Sequence, residues 1–379
     1  FSNYYVQPLM IFFLAVGILN FIGGCMAVFS WPFIRRKYRK KPVLKREEKV
    51  SVIIPCKGEI ELESFENQEY KDFEIIVVVD NEMEKRKVEE KRRSDKVKVL
   101  ISKKRESCSG KNSALLTGIE EAEGKILVFA DADIKPHAKW LYYLVASLGN
   151  ISTTYRWYFK NPLLCVWNSA IATILFYKKF NFAWGGSTAI RREVFEKLGI
   201  KKLWENEFVD DLTLTKIAKE NGYEIEFVPQ AIVESKEEKK IFQWMNKEMV
   251  WVRYYFSWLW KVAMFFNIGM RASNIAGLIL LFFHPLIGIL LISPVFFDFI
   301  RGWQEYNTFK ELMEYPKEKF LPSYYHILLR PLASFILSYN LLSSLFIKEI
   351  EWQGRTYVIQ EVFHQRKSIS KIKSKEVEL

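Results

Sequence analysis

The chain has 379 residues, half of them hydrophobic and 16% aromatic, which excludes disorder for most of its length and leaves room for one domain of about 200 to 250 residues plus further elements. A formal charge of +12 invites a nucleic-acid partner, but the basic excess sits beside an apolar N-terminal run and in the C-terminal tail. Attraction to anionic lipid headgroups accounts for that placement more simply, so no nucleic acid is expected.

Residues 1–34 carry no charge. As a helix, residues 6–31 would extend about 39 Å against a hydrocarbon core of about 30 Å, so this segment is expected to span a membrane with tilt. The apolar run is too long for a cleavable signal, and no small-x-small site precedes the charges. The chain opens on Phe1, so residues ahead of it are expected. Arg35, Arg36, Lys37, Arg39, Lys40 and Lys41 follow at once, which sets this end, and the chain from Lys45 onward, in the cytosol. Cys25, Cys56, Cys108 and Cys165 lack metal-ligand spacing and agree with a reducing compartment.

Apolar runs at 49–55, 73–80, 97–101 and 125–130 read as strands buried on both faces of a parallel sheet. Between them, the dense Lys, Arg and Glu of 82–96 read as a solvated helix. Residues 111–122 read as a helix ending near Gly124, and 136–148 as one with Pro136 in its first turn. Strands alternating with helices at this spacing predict an α/β domain, a mostly parallel Rossmann-like sheet with helices on both faces.

The run at 125–130 ends in Asp131-Ala-Asp133. On extended backbone, positions i and i+2 point the same way, and ligands gather at the carboxyl edge of such sheets, so both acids address one site. Two carboxylates 4 Å apart repel by roughly 4 kcal/mol at an effective dielectric of about 20. A divalent cation shared with phosphate oxygens would offset this, which is how Mg²⁺ is usually held. Asp80 closes its own strand at the same edge and is expected to accept hydrogen bonds from a nucleotide base or ribose. Lys111, in Gly110-Lys111-Asn112, opens a helix whose N-terminus suits phosphate. Gly185 and Gly186, after Trp184, let backbone approach a sugar closely. Asp210 and Asp211 start a helix that stops at Asn221-Gly222. Asp210 can serve as an N-cap, and Asp211 as a general base for an attacking hydroxyl, with Glu207 as second choice.

Residues 240–262 follow a helical pattern crowded with Trp and Tyr and flanked by Lys and Arg, as in a helix lying in the membrane interface. Residues 161–176, apolar but short for a span, read the same way. The uncharged stretch 272–297, interrupted by His284-Pro285, reads first as one Pro-kinked span and second as a helical hairpin, and 324–347 as another span. The tail carries Lys348, Arg355, Arg366, Lys367, Lys371, Lys373 and Lys375 and belongs inside, so an odd total of three spans is expected. The chain then divides into an N-terminal transmembrane helix (1–34), a cytosolic domain (45–239), an interfacial helix (240–262), a membrane region of two or three spans (263–347) and a basic cytosolic tail (348–379).

Taken in order, the strand ending at Asp80, Asp131-Ala-Asp133, Trp184-Gly-Gly-Ser, Asp210-Asp211-Leu-Thr-Leu-Thr and the aromatic helix make the chain resemble the membrane-bound family 2 glycosyltransferases. Val52-Ile-Ile-Pro-Cys-Lys-Gly58, Tyr155-Arg156-Trp157 and Glu351-Trp-Gln-Gly-Arg-Thr-Tyr357 are similar to the ceramide glucosyltransferase-like branch. The resemblance covers 49–260 strongly and the membrane architecture more loosely. It implies a GT-A fold and a UDP-sugar donor, with glucose the expected sugar. Asp80 would contact the uridine, Asp131 and Asp133 would hold the diphosphate through Mg²⁺ or Mn²⁺, and Asp211, beside Asp210, would deprotonate the acceptor hydroxyl in a single inverting displacement.

The same resemblance implies donor contacts from Pro55, Lys57, Lys111, Gly185 and Gly186, and acceptor contacts from Trp184, Lys247, Trp251 and Arg253. The acceptor would be a membrane lipid hydroxyl at the cytosolic face of the bilayer. Residues 247–251 keep only the Trp of the family's Gln-x-x-Arg-Trp motif, with Arg253 expected to supply the cation. This departure and the few helices point away from polymer export. The alternative readings are a processive polysaccharide synthase, a polyprenyl-phosphate sugar transferase, and a catalytically silent protein that binds nucleotide sugar or lipid.

Overall fold

Strands and helices are numbered along the chain in the computed structural model, which describes residues 3–236, 240–352 and 355–359. The central sheet takes β1 (Val50–Pro55), β2 (Phe73–Val79), β3 (Val97–Ile101), β4 (Ile126–Ala130), β6 (Ile151–Thr153), β8 (Ser187–Arg191) and β9 (Ile225–Phe227) in the order β3-β2-β1-β4-β8-β6-β9. A smaller sheet, β5-β10-β7, joins β5 (Ile134–Lys135), β10 (Val233–Ser235) and β7 (Arg156–Trp157). The expected α/β, mostly parallel architecture is present: only β8 runs antiparallel to its neighbours in the central sheet. The β-branched runs explain why. Ile53 lies opposite Ile76 on one side and Phe129 on the other, and alternate residues feed two cores, Val52 and Ile54 one, Ile53 the other.

The helices between these strands cover both faces. They are α2 (Leu62–Glu66), α3 (Glu82–Lys91), α4 (Gly110–Glu121), α5 (Trp140–Ala146), α6 (Pro162–Ala172), α7 (Arg192–Lys197), α8 (Ile200–Trp204) and α9 (Asp210–Glu220), and α1 (Asn3–Tyr38) precedes them. After β1 the chain turns to β2 and β3 on one side, then returns to β4 on the other. Strand order therefore reverses between β1 and β4, the place where a crevice opens beyond the carboxyl ends of such a sheet.

Four further helices follow: α10 (Ile241–Tyr255), α11 (Ser257–Leu280), α12 (Pro285–Leu312) and α13 (Ser323–Ser343). A hairpin of β11 (Glu349–Trp352) and β12 (Arg355–Val358) ends the described chain. Among the described residues, α11, α12 and the stretch Gln7–Tyr38 of α1 are long and apolar enough to cross a membrane. Helices α1 and α12 run side by side in the same direction: Gly17 packs on Leu290, Gly24 on Phe297, Trp31 Nε1 donates to Thr308 Oγ1 (2.9 Å), and Arg35 pairs with Glu311.

The structure corrects several expectations about this half. The stretch 272–297 is not one kinked helix but the hairpin of α11 and α12, because Pro285 starts α12 at its first turn, where a missing N–H costs nothing. The aromatic stretch 240–262 breaks at Phe256, whose backbone (φ −128°, ψ 55°) is not helical. Trp244, Trp251 and Tyr255 of α10 are buried within the protein. The short apolar helix α6 likewise buries Leu164, Val166 and Trp167. Helix α13 is not among the helices suited to cross. His326 packs against Gly302 in the middle of α12, Ser338 meets Asn267 of α11, and Ser344 accepts from Arg253 and Trp260, so α13 packs along α12 and the first half of α11. Its Arg330 is bound to Glu305 (3.0 Å), which is fully buried. The expected tail cations beyond residue 359 lie outside the described residues.

Close approach of α11 and α12 depends on Gly288, where a Cβ would stand 2.7 Å from Leu281 N and 2.9 Å from Gly277 O. Both are backbone atoms and cannot swing away. Gly288→Val should lower the melting temperature of the detergent-solubilised protein by several degrees, as overpacking costs about 1–3 kcal/mol. An unchanged melting curve would mean that the helices do not meet there.

Candidate active site

Four segments meet beyond the carboxyl end of β4. Asp131 and Asp133 leave that strand, and the N–H of Asp131 donates to Gly186 O (3.2 Å). Lys111 comes from the first turn of α4, whose N-cap Ser109 accepts from Asn112 N (3.2 Å). Asp210 and Asp211 open α9. Gly185 lies between them: a Cβ there would be 2.4 Å from Asp210 Oδ2 and 2.9 Å from Lys111 Nζ. Any larger residue here would have to displace the ends of these two side chains and so disturb their pairing.

Lys111 is the hub of the cluster. Its Nζ is 2.9 Å from Asp131 Oδ1 and 3.1 Å from Asp210 Oδ2. Burial favours the neutral amine, but the field of Asp131, Asp210 and Asp211 outweighs it and holds the lysine charged well beyond its ordinary range. Burial likewise opposes ionisation of Asp131, yet Lys111 and Arg156 keep its carboxyl below the usual carboxylate range. Asp133 moves the other way, pushed up by burial and then by Asp131. Asp211 is pushed up to about 7 by burial and by Asp210. Its Oδ2 accepts from Gly185 N (3.1 Å) and its Oδ1 from Leu212 N (2.7 Å).

Lys111, Asp131, Asp133, Asp210 and Asp211, but not Gly185, wall a cavity of about 1090 Å³, at the upper end of what one small ligand needs. Pro55, Lys57, Trp184, Gly186, Lys247 and Trp251 share that wall. From the carboxylates the cavity continues to an apolar end between α10, α11 and α13, lined by Phe256, Leu259, Ala263, Leu337 and Leu341. Its chemistry is thus polar and ionic at one end and oily at the other.

Three expected residues stand elsewhere. Asp80 closes β2, which is separated from β4 by β1; its N–H donates to Glu84 Oε2 (3.1 Å) and it is not part of the cavity wall. Arg253 does not supply a cation to the cavity, because its Nη1 donates to the carbonyls of Ser344 (2.6 Å) and Leu345 (3.1 Å). Glu207 is buried and its carboxylate accepts from Tyr255 (3.1 Å), a structural place. Conversely, Arg156 and Glu248 line the cavity although neither stood out as a site residue. The signal for Arg156 was a lone cation between aromatics in Tyr155-Arg156-Trp157.

The fold and site define an α/β enzyme with an acid-rich crevice at its sheet edge, attached to helices suited to a bilayer. Residues 51–199 match the model of glycosyl transferase family 2, and residues 166–362, just over half of the chain, match that of glycosyl transferase family 21. The chain belongs to glycosyl transferase family 21. It is 32% identical over 237 residues to the probable glycosyltransferase YdaM of Bacillus subtilis, covering 55% of this chain. It spans only 56% of that relative's length. Solved structures with distant likeness include the mannosyltransferase PcManGT from Pyrobaculum calidifontis with GDP-Man and Mn²⁺ (16% identity, 86% of this chain and 99% of that one, TM-score 0.46). S. aureus TarS 1-349 gives 16% identity, 82% and 96% coverage and a TM-score of 0.39. Mycobacterium tuberculosis glucosyl-3-phosphoglycerate synthase with Mn²⁺, UDP and phosphoglyceric acid gives 17%, 50%, 72% and 0.34.

Proposed function

We propose that the protein transfers a sugar, with glucose the first choice, from a UDP-sugar to a hydroxyl of a membrane lipid, ceramide-like in chemistry, at the cytosolic face of the bilayer. One observation carries this reading: the cavity that begins at Asp131, Asp133 and Asp211 ends among the apolar side chains of α10, α11 and α13. A water-soluble donor and an oily acceptor can therefore reach the same carboxylates from opposite ends. The basic cluster from Arg35 to Lys41 favours the cytosolic side for that domain.

In this reading Asp211 takes the proton of the acceptor hydroxyl. The acceptor oxygen bonds to the anomeric carbon as the bond from that carbon to the diphosphate oxygen breaks, and the electron pair leaves with the diphosphate. One displacement inverts the anomeric centre, and no carboxylate is needed as covalent nucleophile. Lys57, Gly186 and Pro55 belong to the donor end, Trp184, Lys247 and Trp251 to the acceptor side of the wall.

Asp131 and Asp133 fit a hard divalent cation, Mg²⁺ or Mn²⁺. Asp133 Oδ1 is buried with no hydrogen-bond partner, an acceptor that the chain leaves unsatisfied, and one or two carboxylates plus substrate phosphates are the usual set for Mg²⁺. When bound, the metal neutralises charge on the diphosphate. The test follows labelled UDP-glucose into extracted lipid. EDTA should abolish transfer and Mn²⁺ or Mg²⁺ should restore it, and Asp133→Asn should raise the metal concentration for half-maximal rate at least about 10-fold. Transfer that ignores the chelator would contradict the metal role. A polymeric product on a gel, or an acid-labile one, would replace the lipid-hydroxyl acceptor.

A further inference from the structure

Arg156 is a buried cation at the cavity wall that the mechanism above does not use. Its position is fixed by the small sheet: Val233 of β10 pairs with Arg156, and Ser235 of the same strand pairs with Ile134, the residue after Asp133. One strand thus sets the distance between Arg156 and the acidic pair, with no loop between them to relax it. The guanidinium carbon lies 4.7 Å from the ring centre of Trp184 and 5.3 Å from that of Trp244. These contacts hold a planar cation in place and favour its charged form.

Satisfaction of its donors is incomplete. Arg156 is 8% exposed, its Nη1 donates only a long bond to Tyr158 Oη (3.4 Å), and its Nε is buried with no partner. Among the described residues no carboxylate comes within ion-pair distance of it. A guanidinium has five N–H donors in a fixed fork, and burying one without an anion costs several kcal/mol. Asp133 and Glu248 lie near enough to favour the charged form of Arg156, but among the described residues neither pairs with it directly, which leaves its fork open to an anion in the cavity. Its fork matches the paired oxygens of a phosphate.

We infer that Arg156 binds the diphosphate of the donor and stabilises the charge that gathers on the leaving oxygen as its bond to the anomeric carbon breaks. This rests on the nucleotide-sugar reading. The bond between guanidinium and diphosphate is strongest once the electron pair has moved to the leaving group, so it favours the transition state over the ground state.

The experiment titrates UDP and uridine into the solubilised full chain and two variants. Arg156→Met keeps an apolar body between the two Trp rings, and Arg156→Lys keeps the charge without the fork. UDP binding is expected to weaken about 10- to 100-fold in Arg156→Met and less in Arg156→Lys, while uridine binding changes less than twofold. If Arg156→Met binds UDP as the unmodified chain does, or loses uridine and UDP equally, the inference fails. It fails too if neither variant keeps the melting temperature of the unmodified chain, which would make Arg156 a packing residue. A separate result, no UDP binding by the unmodified chain, would sink the nucleotide-sugar reading itself.

Discussion

Asp211→Asn should abolish sugar transfer and at the same time raise the melting temperature at neutral pH. The two effects share one cause. Burial and the neighbouring Asp210 push the Asp211 carboxyl up to about 7, so this acid gives up its proton near the pH at which the enzyme would work, as suits a general base. An amide of the same shape can still accept from Gly185 N or Leu212 N but cannot take a proton. The rate should fall by a factor of roughly 10² to 10⁴, with UDP binding unchanged. In the unmodified protein the rate should climb as pH rises through about 7 and fall on acidification. The stability effect has the opposite sign. A carboxyl whose folded value is raised stabilises the fold while protonated, and that contribution is lost as pH rises from the ordinary carboxylate value through about 7. At pH 8 the native protein therefore carries an unfavourable buried charge that the Asn variant lacks, and at pH 4 the two should melt alike. Near-normal transfer by the variant would remove Asp211 as the base.

What the sequence made legible follows from how local each signal was. β1, β2 and β4 are apolar runs buried on both faces, whereas β3, at the edge of the sheet, exposes Lys98. Asp131 and Asp133 could be placed because the strand before them fixes their direction, and Asp211 because a helix start does the same. Asp80 follows the same local rule at the end of β2, which lies one strand beyond β1 from β4. Arg253 misled because spacing along α10 does not reveal which carbonyls its side chain meets, and these belong to the end of α13. The small sheet β5-β10-β7 could not be seen at all, since strands of two or three residues carry no period, and with it went the placement of Arg156. Helix α13 looked like a span because its apolar residues match one. Only the partners of Arg330, Glu305 and Asp298 on α12, reveal that its polar side is satisfied by protein.

Lys111→Met should be the most destabilising single change in the site, and it should do so in a pH-dependent way. Asp131 and Asp210 share this one ammonium at 2.9 and 3.1 Å, the Asp210 side chain being 5% and that of Asp131 22% exposed. Removing the shared cation leaves carboxylates facing each other in a poorly solvated wall, and breaking a buried pair from one side costs about 3–5 kcal/mol. For a chain of this size that is a fall of about 4–6 °C in melting temperature. The lysine keeps Asp131 below the ordinary carboxylate range, so its contribution is present above that range and is lost as pH falls through the depressed value. The gap between the unmodified protein and Lys111→Met should therefore be wide at pH 7 and narrow toward pH 3. Saturating Mn²⁺ should restore part of the lost stability in the variant, since a cation held by Asp131 and Asp133 replaces some of the missing charge and adds about 2.7 kcal/mol at 100 times its dissociation constant. Melting curves at both pH values, with and without Mn²⁺, decide the matter. A gap that stays constant with pH would show that the ion pair is not what Lys111 contributes.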